Sequence, residues 1–166
     1  MGALNTEPVR DVADEEGTKG LEVRFEVAVP AEALLEILWS PSNFDRLFPD
    51  IEESRVLRAE AARLEVEYRI DAVVRRVRYV LERTLDRGAG TITWREIGGD
   101  LRRVRGSWKV ETGADGRPSQ VTYAAFVDVG RFVPTALVRD AAKRKLGEMV
   151  ARVRSVAASI YTAAVR

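Results

Sequence analysis

Arg83 is the residue whose placement most needs a chemical reason. It lies in RVRYVLERTLD, residues 76–86, where Val77, Tyr79 and Leu81 alternate with Arg76, Arg78 and Glu82. A period of two puts Arg83 on the apolar side, with Tyr79, Leu81 and Leu85. A guanidinium turned inward must be paired. Arg83 is therefore a candidate anchor for a carboxylate, a carbonyl or a lipid head group. The plainer readings are a bulge that shifts the phase, or a side chain that snorkels to the strand end. Glu96 poses a similar question. It follows Ile92 and Trp94 in phase but lies beside Gly98-Gly99, where it can reach water.

Five aromatic residues share the phase of their aliphatic neighbours: Tyr68, Tyr79, Trp94, Trp108 and Tyr123. Rings supply apolar area, and a phenol or an indole N–H adds a polar handle, which suits the wall of a ligand cavity. An ordinary core gives the same pattern, since buried aromatics are common.

Composition narrows the chemistry further. The 166 residues include no Cys and no His. Thiol nucleophiles, disulfides, Ser-His-Asp triads and ordinary zinc sites are thereby excluded. Any catalysis rests on Asp, Glu, Lys, Arg, Tyr, Ser or water, with Arg83 and Tyr79 as the first candidates. Neither a metal nor a cofactor is expected. Lys+Arg is 27 against 26 Asp+Glu, a net charge of +1, so the protein as a whole attracts nucleic acid little.

The stretch GGDLRRVRGSWKV, residues 98–110, tests that last point. With a period of two, Arg103, Arg105, Ser107 and Lys109 face one way, and Val104, Gly106, Trp108 and Val110 face the other. The basic run then reads as a solvated outer face, and no nucleic-acid partner is expected. Gly106 removes bulk from the inner face, where a glycine often marks a bend.

The elements that must position these residues follow from the same patterning. Residues 1–19 lack periodicity and read as a flexible tail, with one domain over 20–166. Leu21, Val23, Phe25, Val27 and Val29 alternate with charged residues as a half-buried strand. A helix over AEALLEILWS ends at Pro41, and a second short helix follows, with Ser42 and Asp45 spaced like a capping box. A strand is expected over 51–59. Further alternating segments end with Val121, Tyr123, Ala125, Val127 and Val129. Gly130 to Pro134 carries Phe132, a candidate gate for a cavity mouth.

A long helix completes the chain. Its apolar stripe includes Leu146, Met149, Val150, Val153 and Ala157, while Lys145, Glu148 and Arg152 belong to the opposite face. Arg139, Lys143, Arg144 and Lys145 make a basic patch near its start. Such a patch suits peripheral contact with anionic lipid head groups, and equally an ordinary solvated face. No apolar run reaches the ~20 residues of a membrane span. A cytoplasmic setting is expected, with a removed leader left open.

In order, VAVPAEALLEILWSPSNFDRLFPDI, ITWREIGGDLRRVRGSWKV and VTYAAFVDVGRFVP resemble the START-like (SRPBCC, birch-pollen-allergen fold) superfamily. The similarity is nearest to its polyketide cyclase/dehydrase and coenzyme-Q-binding branch and covers about residues 20–165. It implies an α+β helix-grip fold: a curved seven-stranded antiparallel sheet around a long C-terminal helix, with two short helices after the first strand. It also implies a cavity for a lipid, isoprenoid quinone or polyketide. The expected ligand-binding set is Tyr68, Tyr79, Arg83, Trp94, Trp108, Tyr123, Phe132, Met149 and Val153. The expected role is that of a non-enzymatic carrier or sensor; the alternatives are an aromatase/cyclase and, second, a protein-interaction module of the ribosome-associated type.

Overall fold

The computed structural model describes residues 3–71, 76–115, 117–128 and 135–165, with side chains from 139 onward in the last segment. Phe132 and the segment around it lie outside the described residues. The elements run in the order β1 (Arg10–Ala13), β2 (Lys19–Val27), α1 (Ala31–Trp39), a 3-10 turn (Pro41–Asn43) and α2 (Phe44–Leu47). Then come β3 (Ile51–Ala59), β4 (Arg63–Asp71), β5 (Arg76–Asp86), β6 (Thr91–Gly99), β7 (Arg103–Glu111), β8 (Ser119–Asp128) and α3 (Thr135–Ala164).

The strands form one antiparallel sheet in the order β1-β2-β8-β7-β6-β5-β4-β3. β3 to β8 are sequential neighbours, as short connections favour. The early strand β2 then pairs with the last, with Val23 opposite Tyr123 and Phe25 opposite Val121. The sheet curves around α3 without closing, which is the α+β helix-grip architecture.

The sheet has eight strands among the described residues, not seven. The extra strand comes from the segment read above as a tail. β1 pairs with β2 from Arg10 opposite Glu22 to Ala13 opposite Lys19. Upstream, the Glu7 N–H donates to the Arg24 carbonyl at 2.8 Å, and the Glu26 N–H donates to the Asn5 carbonyl at 2.8 Å. Arg154 of α3 then donates to the carbonyls of Glu26 and Asn5 at 2.8 and 2.7 Å. Backbone hydrogen bonds along the β2 edge hold this segment. Its side chains are mostly exposed, so it shows no hydrophobic period.

Alternation accounts for the rest. Val23, Phe25 and Val27 of β2 are buried against Leu34, Leu38, Phe44 and Leu47 from the short helices and Val150, Val153 and Ala157 from α3. The short-helix pair begins differently from the expectation. No side chain caps α2, and Pro41 opens the preceding 3-10 turn instead. Proline suits that position, where an N–H would lack a helical partner.

Candidate ligand cavity

The concave face of the sheet, α2 and α3 surround a cavity of about 1090 Å3. That lies just above the ~300–1,000 Å3 usual for small-molecule sites. The phase of each strand sets its wall: Tyr68 and Ile70 from β4, Tyr79, Leu81 and Arg83 from β5, and Trp94 from β6. β7 adds Val104 and Trp108, and β8 adds Tyr123, Ala125 and Val127.

The rings form two groups. Trp108 packs on Tyr123 at 4.6 Å between centroids, and Tyr123 packs on Trp94 at 5.7 Å. In the second group, Tyr68 lies 5.5 Å from Tyr79 and 6.1 Å from Phe44. Burial raises the pKa of all three wall phenols, pushing Tyr123 up to about 12, while the charge of Arg83 opposes the rise at Tyr68. These hydroxyls stay protonated near neutral pH, so the wall presents hydrogen-bond donors and no phenolate base.

Arg83 points inward in phase, with 4% of its surface exposed. There is no shift along β5. The register break between Val80 and Leu81 belongs to the β6 side of the pair, where Val80 faces Gly98 and Leu81 faces Glu96. The guanidinium carbon stands 4.6 Å from the Phe44 ring centroid and 5.4 Å from that of Trp39. Nη2 donates to the Leu38 carbonyl, in the last turn of α1, at 3.3 Å. A cation suits a helix C-terminus. Nη1 has no hydrogen-bond partner among the described residues. Burial lowers the Arg83 pKa.

Of the expected set, Tyr68, Tyr79, Arg83, Trp94, Trp108, Tyr123 and Met149 share this wall. Val153 does not. It is fully buried within the core and is absent from the described wall. The expectation merged two rows of α3. One row, Val150, Val153 and Ala157, is buried outside the described wall, while Ala142, Lys145, Met149 and Arg152 run along the cavity, and Leu146, itself buried, also reaches the wall. Lys145, Glu148 and Arg152 therefore line the cavity, although amphipathicity assigned them to the opposite face. Leu47, Phe48 and Ile51 were also missed. Their apolar row after Pro41 was the available signal.

Charge collects at the mouth. The carboxylates of the described lining are Asp11, Asp50 and Glu148, all exposed. Much of the basic patch is paired across the opening. Lys143 and Arg139 lie 3.2 and 3.9 Å from Asp11, and Lys145 lies 3.6 Å from Asp50. The arginines of the 98–110 stretch face outward, as expected. Arg103 pairs with Glu16 and donates to Thr18 at 3.0 Å, and Arg105 stands 3.6 Å from Glu16. Glu96 accepts the Val104 N–H at 2.9 Å, so backbone satisfies it where water was expected.

Residues 27–154 match the family described as polyketide cyclase/dehydrase and lipid transport. The chain belongs to this family. The fold is similar to that of a START superfamily protein from Mycobacterium smegmatis, 13% identical at TM-score 0.72, covering 85% of this chain and 98% of that one. The Zhui aromatase/cyclase from Streptomyces sp. R1128 is 17% identical at TM-score 0.65, with 95% and 96% covered. A STAR-related lipid transfer protein from Xanthomonas axonopodis is 19% identical at TM-score 0.66, with 91% and 99% covered. At such identities the likeness is one of fold. Among curated proteins, none matches the sequence.

Proposed function

We propose that this member of the family is a non-enzymatic carrier or sensor for a hydrophobic small molecule, a lipid, isoprenoid quinone or polyketide. The observation that carries this reading is a cavity of about 1090 Å3, walled by rings and aliphatic side chains, whose carboxylates are confined to its exposed mouth. Apolar area would supply the affinity, and a few polar groups would set the ligand's orientation. The basic residues at the mouth would assist delivery at an anionic surface. Arg139, Lys143 and Lys145 would exchange Asp11 and Asp50 for head groups, and Arg144, outside the described lining, has no ion pair among the described residues.

Native mass spectrometry after gentle purification tests this directly. An apolar molecule bound at one per chain is the expected result. A protein that stays ligand-free after exposure to a total lipid extract would count against it.

One observation favours aromatase/cyclase activity as a second reading: polar groups converge on the wall, with Tyr68 near enough to Arg83 for each to shift the other's pKa. Arg83 would hold an enolate oxygen of a poly-β-keto chain, with Tyr79 as a neighbouring donor. The Arg83→Met and Tyr79→Phe variants would then lose cyclisation of such a chain while still binding it.

A further inference from the structure

We infer that the cavity takes an amphiphile bearing a single carboxylate, which enters head-first and seats against Nη1 of Arg83. This rests on the cavity reading above and specifies its ligand. Arg83 is buried, lines the cavity and has no carboxylate partner among the described residues. A buried charge without a counter-charge is costly, and an ion that supplies one is correspondingly favoured.

The hydrogen-bond inventory points the same way. Capping α1 uses Nη2 alone, through the Leu38 carbonyl, and leaves Nη1 over. The rings of Phe44 and Trp39 hold the guanidinium plane in place, so little side-chain freedom is lost when a ligand arrives. A neutral carbonyl would satisfy the N–H but leave the charge. A carboxylate satisfies both, in the stronger charge-assisted bond.

The charge count selects a monoanion. The other cations along the described lining, Lys19, Arg139, Lys145 and Arg152, stand with the exposed mouth residues or among the half-exposed ones. A phosphate monoester, carrying roughly −1.5 to −2 near neutral pH, would meet one fixed positive charge at Arg83. The Tyr68 phenol shares the cavity wall with Arg83, and both side chains pack on the Phe44 ring.

Displacement of the neutral dye Nile red separates the claims. Decanoic acid, methyl decanoate and decanol would compete with it at pH 8 in wild type, Arg83→Met and Arg83→Lys, each first checked for folding by circular dichroism. A second pair, 2-naphthoic acid and its methyl ester, covers flat aromatic acids. In wild type, the acid of at least one pair is expected to bind about tenfold or more tighter than its ester. That ratio should fall to one or below in Arg83→Met and survive, reduced, in Arg83→Lys. A purely structural Arg83 would leave the acid-to-ester ratio unmoved. Nile red binding with no acid preference in either pair, or with a preference that Arg83→Met retains, would overturn the carboxylate assignment alone. Failure of wild type to bind Nile red would overturn the cavity reading and the assignment with it. If Arg83→Met does not fold, the Arg83→Lys ratio decides: a ratio equal to that of wild type across both pairs would overturn the specific seat at Nη1.

Discussion

The Trp94 indole occupies the space that a β-carbon on Gly106 would fill. The two residues face each other across β6 and β7, and a β-carbon at 106 would overlap both the indole and the Ala124 carbonyl. The ring thus lies down over the neighbouring strand, where it packs on Tyr123 and forms cavity wall.

Gly106→Ala should therefore destabilise the fold by about 1–3 kcal/mol, the usual cost of forcing bulk into a packed interior. Urea denaturation followed by tryptophan fluorescence measures this. A variant as stable as wild type would mean that Trp94 and the β8 backbone yield freely.

The wall tyrosines make stability fall at high pH. Burial raises their folded-state pKa values above the ordinary 10.0, to about 12 for Tyr123. The folded protein holds these protons more tightly than the unfolded chain. Their contribution is full below pH 10 and is lost as pH rises from 10 towards 12. Phenolate absorbance and circular dichroism recorded together should show these tyrosines ionising only as the fold is lost. Titration of all the phenols near pH 10 in an intact fold would contradict their burial.

Much of this is legible in the sequence. Period-two patterning put Tyr68, Tyr79, Arg83, Trp94, Trp108 and Tyr123 on one face, because a strand alternates strictly. The β1 edge was not legible, since backbone groups hold it and Val12 is its one half-buried side chain. α3 was half legible. Its core row and its cavity row are adjacent on one helix, and the exposed mouth of the cavity accepts Lys145 and Arg152 on the second row. The surroundings of Arg83 were hidden because the Leu38 carbonyl lies 45 residues away.

Gly147 lies inside α3, yet a β-carbon there would meet nothing within 4 Å. Glycine in a helix interior costs about 1 kcal/mol relative to alanine. Gly147→Ala should accordingly raise stability by roughly 0.5–1 kcal/mol. A thermal melt checks the sign, and a lower midpoint would show that the helix needs its glycine for conformation.

The cavity itself is tested most directly by filling it. Met149 reaches the cavity from α3 beside the core row, so Met149→Trp would place an indole in ligand space at a stability change within about 1–3 kcal/mol. The decisive measurement is a fluorescence titration of Nile red against wild type and Met149→Trp. Wild type should bind one dye per chain with blue-shifted emission, and folded Met149→Trp should bind at least about tenfold more weakly. Equal binding by the two proteins, or none by wild type, would contradict a ligand cavity between sheet and helix.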